Sequence, residues 1–203
     1  MQIENSTGLD YSQTVTPVRR LDLKPRYTIV RTGLGWVVIG GSGRGIGYIS
    51  LPKSSVEVAL AGLDCYIPEA IEDASAFGDL PMRLQRYFAG EMIEFPDELD
   101  LEGATAFEQV VWEETRHIPY GEVRSYAWVA NRIGKPLACR AVGGAMARNR
   151  FPIVVPCHRV VASDGSPGGF SGGLDMKKSL LELEDGRISK SSSRFLHKSS
   201  PAR

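Results

Sequence analysis

The 203-residue sequence contains only three cysteines, Cys65, Cys139 and Cys157, and only three histidines, His117, His158 and His197. The cysteines are odd in number, far apart and without a CxxC pair. That excludes a disulfide framework and the usual zinc spacings, and it points to reduced thiols. No apolar run approaches the roughly 18 residues of a membrane span, and the polar start MQIENSTGLD lacks the basic and apolar regions of a secretory signal. A soluble, intracellular protein is expected, cytoplasmic or, in a eukaryote, nuclear. Net charge is missing too, since 24 Lys and Arg balance 24 Asp and Glu. This excludes a uniformly basic nucleic-acid binder and an acidic solvating protein, but not a local patch of either sign. What is present, 42% hydrophobic and 24% charged residues, is a globular composition in a chain long enough for one or two cored domains.

The neutrality is a sum of unlike parts. Residues 1–100 hold 9 basic and 14 acidic residues, a net −5, and residues 101–203 hold 15 and 10, a net +5. Composition changes near Phe95-Pro96-Asp97. A small α/β scaffold domain over 1–100 and a mainly α, winged helix-turn-helix-like domain over 101–186 are therefore expected. The Ser-rich stretch 187–203, with five basic residues and no acid, reads as a disordered tail. In the first half, 27–31, 36–40 and 45–51 read as β-rich runs separated by glycines, the pattern of a meander. The glycine-rich GGSGRGIG at 40–47 fits no GxGxxG register and no GK[ST] follows it, so it reads as a hairpin turn rather than a phosphate loop. Segments 54–61, 68–76 and 80–88 have the apolar spacing of helices. Nothing in this half looks catalytic.

In the second half, Thr105 can cap a helix whose positions Phe107, Val110, Val111 and Thr115 recur at helical spacing before Pro119-Tyr120-Gly121. Ser125 can cap a short helix through Ala130 and Ile133, broken by Gly134, and Pro136 opens a third segment over 136–148. This is the layout of a helix-turn-helix, with the third segment facing a groove. That segment, LACRAVGGAMAR, is rich in small residues although each interior Gly costs a helix about 1 kcal/mol against Ala. Ala141, Gly143, Gly144 and Ala145 fit either tight helix packing or a backbone pressed close to an external surface. From 115 to 163 there are eight basic residues and one acid, Glu122, an electrostatic footprint for phosphate.

Cys157 follows the apolar run FPIVVP and precedes His158 and Arg159. A lone buried cysteine is usually an inert small hydrophobe. Here the two neighbouring cations are candidate sources of a positive potential that would lower the thiol pKa, so a nucleophilic role competes with the inert one. Glycines 168, 169, 172 and 173 allow a loop that approaches something closely.

These residues carry a resemblance. PCHRVV (156–161), preceded by GEVRSYAWVA (121–130), RAVGGAMARN (140–149) and PIVVP (152–156) and followed by GGFSGGLDMKKSLLELE (168–184), resembles the O6-alkylguanine-DNA alkyltransferase family, also called methylated-DNA–protein-cysteine methyltransferases. The likeness is continuous over about residues 105 to 186 and loose over the first 100.

The resemblance implies direct-reversal DNA repair. An alkyl group would pass once and irreversibly from O6-alkylguanine, and by extension O4-alkylthymine, in a flipped-out base to Cys157. His158 would deprotonate the thiol through a water, Glu184 would orient the imidazole, and Asn149 would fix the turn that holds the cysteine. Tyr126 would donate a proton to guanine N3. The Ser171 amide would contact O6, and the carbonyls of Cys157 and Val160 would accept from the exocyclic amine. Arg140 would enter the duplex in place of the extruded nucleotide. Ser125, Ala141, Gly143, Gly144 and Gly172 would lie at the DNA, with Met146 and Phe170 walling the alkyl pocket. The implied partner is double-stranded DNA, met through the minor groove without sequence preference by a monomer that needs no cofactor. Some family members carry an amino-terminal zinc, but Cys65 alone cannot hold one, so no metal is expected. Two other readings remain, a lesion-binding protein without transfer activity and a winged-helix transcription regulator.

Overall fold

Glycine-bounded runs of β-branched and apolar residues build a meander on the amino-terminal side. In the computed structural model, which describes residues 24–186, strand β1 (Arg26–Thr32) pairs antiparallel with β2 (Gly35–Ser42), and β2 pairs with β3 (Gly45–Ile49). The tail expected over 187–203 lies outside the described residues. Gly45 has φ 124°, and a Cβ there would stand 2.6 Å from the Glu98 carbonyl oxygen. The glycines of GGSGRGIG therefore serve a hairpin that another chain segment crosses closely, as its register predicts.

Helix α1 (Val56–Leu60) is capped by Ser55. The helix expected over 68–76 does not form. Glu69 takes φ 58°, Ile71–Glu72 adds to the edge of β1 as the parallel strand β4, and Ala74–Phe77 forms a 3-10 turn whose start is capped by Asp73 on the Ser75 amide. The apolar spacing there has no face to bury, Ile71 being 58% exposed, so edge pairing and a local side-chain bond prevail over helix propensity. Helix α2 (Leu80–Phe88) forms as expected and buries Leu80, Leu84, Tyr87 and Phe88 along one stripe.

Helix α3 (Ala106–Arg116) begins with a reciprocal capping box between Thr105 and Glu108. The two-residue strand β5 (Arg124–Ser125) leads into α4 (Tyr126–Arg132), with the Ser125 hydroxyl accepting from the Trp128 amide at 3.0 Å. Helix α5 (Cys139–Ala147) starts three residues later than expected. The Ala138 amide bonds the Lys135 carbonyl at 2.9 Å and closes a separate turn over Pro136 and Leu137. A 3-10 turn over Cys157–Arg159 then runs into β6 (Val160–Val161), which pairs parallel with β5, Arg124 opposite Val160 and Ser125 opposite Val161. Helix α6 (Leu174–Glu184) closes the described chain.

The main apolar cluster draws Val37, Ile39, Leu84 and Tyr87 from the first half and Val111, Trp112, Val129, Phe151 and Leu180 from the second. Phe95-Pro96-Asp97 is tied down on both sides. Arg83 of α2 grips the Asp97 carboxylate at 2.7 and 2.6 Å, and Arg116 of α3 donates to the Phe95 and Asp97 carbonyls. Among the described residues no helix is long and apolar enough to cross a membrane.

Candidate active site and nucleic-acid interface

The run from Asn149 to Val155 folds into a tight turn that sets the cysteine. Ile153 adopts φ 77°, a costly conformation for a β-branched residue, of order 1–3 kcal/mol. Asn149 closes the turn. Its amide nitrogen donates to the Val155 carbonyl at 2.9 Å and to the Cys157 sulfur at 3.0 Å, while its oxygen accepts from the Phe151 amide at 2.9 Å. Cys157 is 4% exposed, and burial pushes its thiol up. The Asn149 hydrogen bond and the positive charge of Lys177 oppose that push without cancelling it. The resting group is therefore a thiol that needs a base.

His158 is fully buried, and burial lowers its pKa against the pull of Glu184, so the imidazole is neutral at rest. Its Nε2 lies 2.8 Å from Glu184 Oε1. Every other contact of that carboxylate is a donor, so Nε2 carries the ring proton and Nδ1 the lone pair. Nδ1 has no hydrogen-bond partner among the described residues. Glu184 also receives Arg159 Nε at 2.9 Å and Nη2 at 2.8 Å, the Gly121 amide at 3.1 Å and the Tyr87 hydroxyl at 2.6 Å. Burial alone would raise this carboxyl, but the bonds from His158 and Arg159 prevail and hold it well below the usual carboxylate range.

One expectation is corrected here. Arg159 does not lend its charge to the sulfur: its guanidinium is spent on Glu184 and on the Ile118 carbonyl, 2.6 Å away. His158, held neutral, supplies no positive potential either. The nearby cation is Lys177, which sequence reasoning missed. Its ammonium is buried, donates to the Val160 carbonyl at 2.6 Å and to the Pro167 carbonyl, and lies about 6 Å from the Tyr126 and Phe170 ring centres. The signal was available: Lys177, Leu180 and Glu184 share the buried face of α6 at spacings of three and four.

A cavity of about 630 Å³ opens over the sulfur. It brings together Tyr126, Arg140, Gly143, Met146, Cys157, Phe170 and Ser171 of the expected site. The β5–β6 ladder sets Tyr126 beside the reactive segment, where its hydroxyl donates to the Gly169 carbonyl at 3.3 Å. Ser125, Ala141, Gly144, Val160 and Gly172 stand outside the lining. A Cβ on Gly172 would meet Leu51 at 2.3 Å, so its smallness seats the loop on the amino-terminal half. Gly143 differs. A Cβ there would meet nothing closer than Tyr126 at 3.9 Å, so packing within the fold does not require glycine.

Ion pairs narrow the positive stretch. Arg116, Arg124, Arg132, Arg148 and Arg159 face Glu113, Glu122, Glu114, Glu108 and Glu184 in turn. Arg150 donates to the carbonyls of Asp100 and Glu102. Lys135 and Arg140, on either side of the turn into α5, have no ion-pair partner among the described residues, and Arg140 lies on the cavity rim.

Fold and site thus define a class: a helix-turn-helix platform carrying a buried cysteine beneath a cavity, followed in the chain by a histidine paired with a buried glutamate. Comparisons with known proteins agree. The family model described as "6-O-methylguanine DNA methyltransferase, DNA binding domain" matches residues 106–186. The chain is 38% identical over 159 residues to a methylated-DNA–protein-cysteine methyltransferase of Methanosarcina acetivorans, covering 78% of this chain and 97% of that one. A crystal structure of Mycobacterium tuberculosis O6-methylguanine methyltransferase is similar with a TM-score of 0.66 at 38% identity, over 81% of this chain and 95% of that one. One of M. tuberculosis OGT in complex with DNA gives 0.67 at 39%, over 80% and 94%. The chain belongs to the methylated-DNA–protein-cysteine methyltransferase family.

Proposed function

We propose that this protein repairs DNA by direct reversal, transferring the alkyl group of O6-alkylguanine to Cys157 in a single irreversible turnover. The observation that carries the reading is the Cys157 thiol beneath an apolar cavity, followed in the chain by a neutral imidazole whose Nε2 is committed to Glu184 and whose Nδ1 has no partner among the described residues. His158 Nδ1 takes the thiol proton through one water, and the sulfur attacks the alkyl carbon. The carbon–O6 bond breaks with its electron pair staying on the base. Tyr126 passes a proton to guanine N3, and the proton held by His158 restores the balance, leaving guanine and an alkyl thioether. Nothing in the site can cleave that thioether, so each molecule acts once.

O6 is inaccessible in a stacked duplex, so the base is extruded at a cost of a few kcal/mol. Arg140 on the cavity rim fills the gap it leaves. Ala141, Gly143 and Gly144 let α5 lie close to the minor-groove walls, and they carry none of the amide or guanidinium groups that read base edges, so binding is independent of sequence. The Ser171 amide and the Cys157 carbonyl face the base. The Val160 carbonyl is buried against Lys177 and lies outside the cavity lining, so the exocyclic amine is left to the Cys157 carbonyl. Residues 1–100 act as scaffold, 101–186 as the DNA-binding and acceptor unit, and the protein works as a monomer.

Mass spectrometry after incubation with duplex containing one O6-methylguanine tests the proposal. A single methyl on the Cys157 peptide is expected, and Cys157→Ser should bind the duplex without transfer. Binding of damaged DNA with no adduct on Cys157 would instead fit a lesion-binding protein and overturn the assignment.

A further inference from the structure

We infer that Tyr87, on α2 in the acidic amino-terminal half, is a positioning residue of the transfer reaction: its hydroxyl holds the Glu184 carboxylate and tunes how strongly His158 binds a proton. The inference rests on the alkyl-transfer reading and extends its machinery to a half of the chain in which the sequence shows nothing catalytic.

Tyr87 is fully buried, 71 residues from His158 and 97 from Glu184 in sequence. Its ring is packed edge-on against Phe88, Phe95 and Tyr120, with centroids 5.2, 5.9 and 6.0 Å away. Core filling alone would be served by phenylalanine, because a buried hydroxyl is costly unless it is paired. The hydroxyl is paired at one specific atom. It donates to Glu184 Oε1 at 2.6 Å, the same oxygen that His158 Nε2 meets at 2.8 Å, and it lies 3.3 Å from Nε2 itself. Glu184 does not need this donor to be satisfied, since Arg159 and the Gly121 amide already occupy it. What the hydroxyl adds is competition for the negative charge that the imidazole feels.

The groups bearing on His158 can be weighed by sign. Glu184 favours the imidazolium, whereas the charges of Arg159 and Lys177 oppose it. Cys157, its neighbour in the chain, is neutral at rest. Tyr120 stands behind Tyr87 and under Arg159, and its hydroxyl is directed at the Leu183 carbonyl, 3.4 Å away, not at Glu184. Tyr87 therefore acts with Arg159 and Lys177. By drawing charge from Oε1 it weakens the attraction of the carboxylate for a ring proton and keeps the imidazole neutral and ready to accept. Without the hydroxyl, Oε1 would bind the Nε2 proton more strongly and His158 would become more basic.

The test is Tyr87→Phe in the full chain, with Tyr120→Phe as control. Single-turnover methyl transfer from duplex carrying one O6-methylguanine is followed across pH. The acid limb of the Tyr87→Phe profile is expected to move to higher pH by about half a unit to one unit, so that rates on the limb fall about three- to tenfold and converge with wild type on the plateau. Tyr120→Phe should leave the limb in place. A Tyr87→Phe limb at the wild-type position, with the rate lowered equally at every pH, would reduce Tyr87 to a packing residue and overturn the inference alone. A wild-type protein that transfers nothing would overturn the transfer reading itself. In the wild-type protein, without any variant, the Tyr87 hydroxyl proton should exchange slowly and show a nuclear Overhauser contact to the His158 ring. Rapid exchange with solvent would refute the contact.

Discussion

Replacing Lys177 by methionine keeps the length of the side chain and removes only its charge and donors. Two carbonyls lose a charged partner, Val160 and Pro167, and they do not count equally. Pro167 is exposed, so its carbonyl can turn to water, whereas Val160 is fully buried and its carbonyl cannot. One unsatisfied buried carbonyl costs about 1–3 kcal/mol, partly offset because the variant no longer buries an ammonium. A net loss of about 1–2 kcal/mol follows, read by urea unfolding. The kinetic effect has a different source. Burial raises the Cys157 thiol and the Lys177 charge opposes the rise, so Lys177→Met should raise it further. A higher thiol pKa leaves less thiolate, so transfer at neutral pH should slow and recover as pH increases. Stopped-flow transfer at several pH values separates the two effects. If Lys177→Met transferred at the wild-type rate throughout, the role of Lys177 in activating the sulfur would be refuted whatever its effect on stability.

Gly143→Ala should raise stability by about 1 kcal/mol through helix propensity, because the added methyl meets nothing within 3.9 Å. It should nonetheless weaken duplex binding. Unchanged affinity in a gel-shift titration would show that α5 does not press its backbone against DNA. Acid should destabilise the protein in two ranges, measured as the unfolding free energy against pH. His158 has a lowered native pKa, so below its unfolded value of about 6.5 the unfolded chain binds more protons and stability falls. Glu184 and Glu108 have native pKa values below their unfolded ones, Glu108 at about 2, so their contribution is present above about 4.5 and is lost as pH falls further. Stability that stayed level from pH 7 to 5 would contradict the buried neutral imidazole.

Cys157 and His158 were legible as adjacent reactive residue types and Ser125 as a helix cap, whereas Asn149 and Tyr126 were reached through the resemblance. Glu184 was reached through resemblance, and its Oε1 lies 2.8 Å from His158 Nε2. Lys177 was missed although the helical period places it on a buried face, because a lysine is ordinarily read as solvated. Tyr87 left no local signal at all, since its role depends on α2 packing against a residue 97 positions away. The meander was readable from glycine spacing. The failed helix at 68–76 shows the limit of that reasoning, because apolar spacing forms a helix only where a face is available to cover it. The charge of Arg159 was misassigned for a similar reason: sequence adjacency to Cys157 did not reveal that the guanidinium turns the other way, toward Glu184.

The ion pairs along the basic stretch have a consequence for how counterions report on binding. Arginines already facing carboxylates displace few cations when they meet a duplex, whereas Lys135, Arg140 and Arg150 face no carboxylate among the described residues. The logarithm of affinity should then fall with the logarithm of salt concentration at a slope of about −3, as for about three phosphates, and not at the value of about −6 that the formal charge of the stretch suggests. A shallow slope of this kind would let the protein keep its grip on DNA across a wide range of ionic strength.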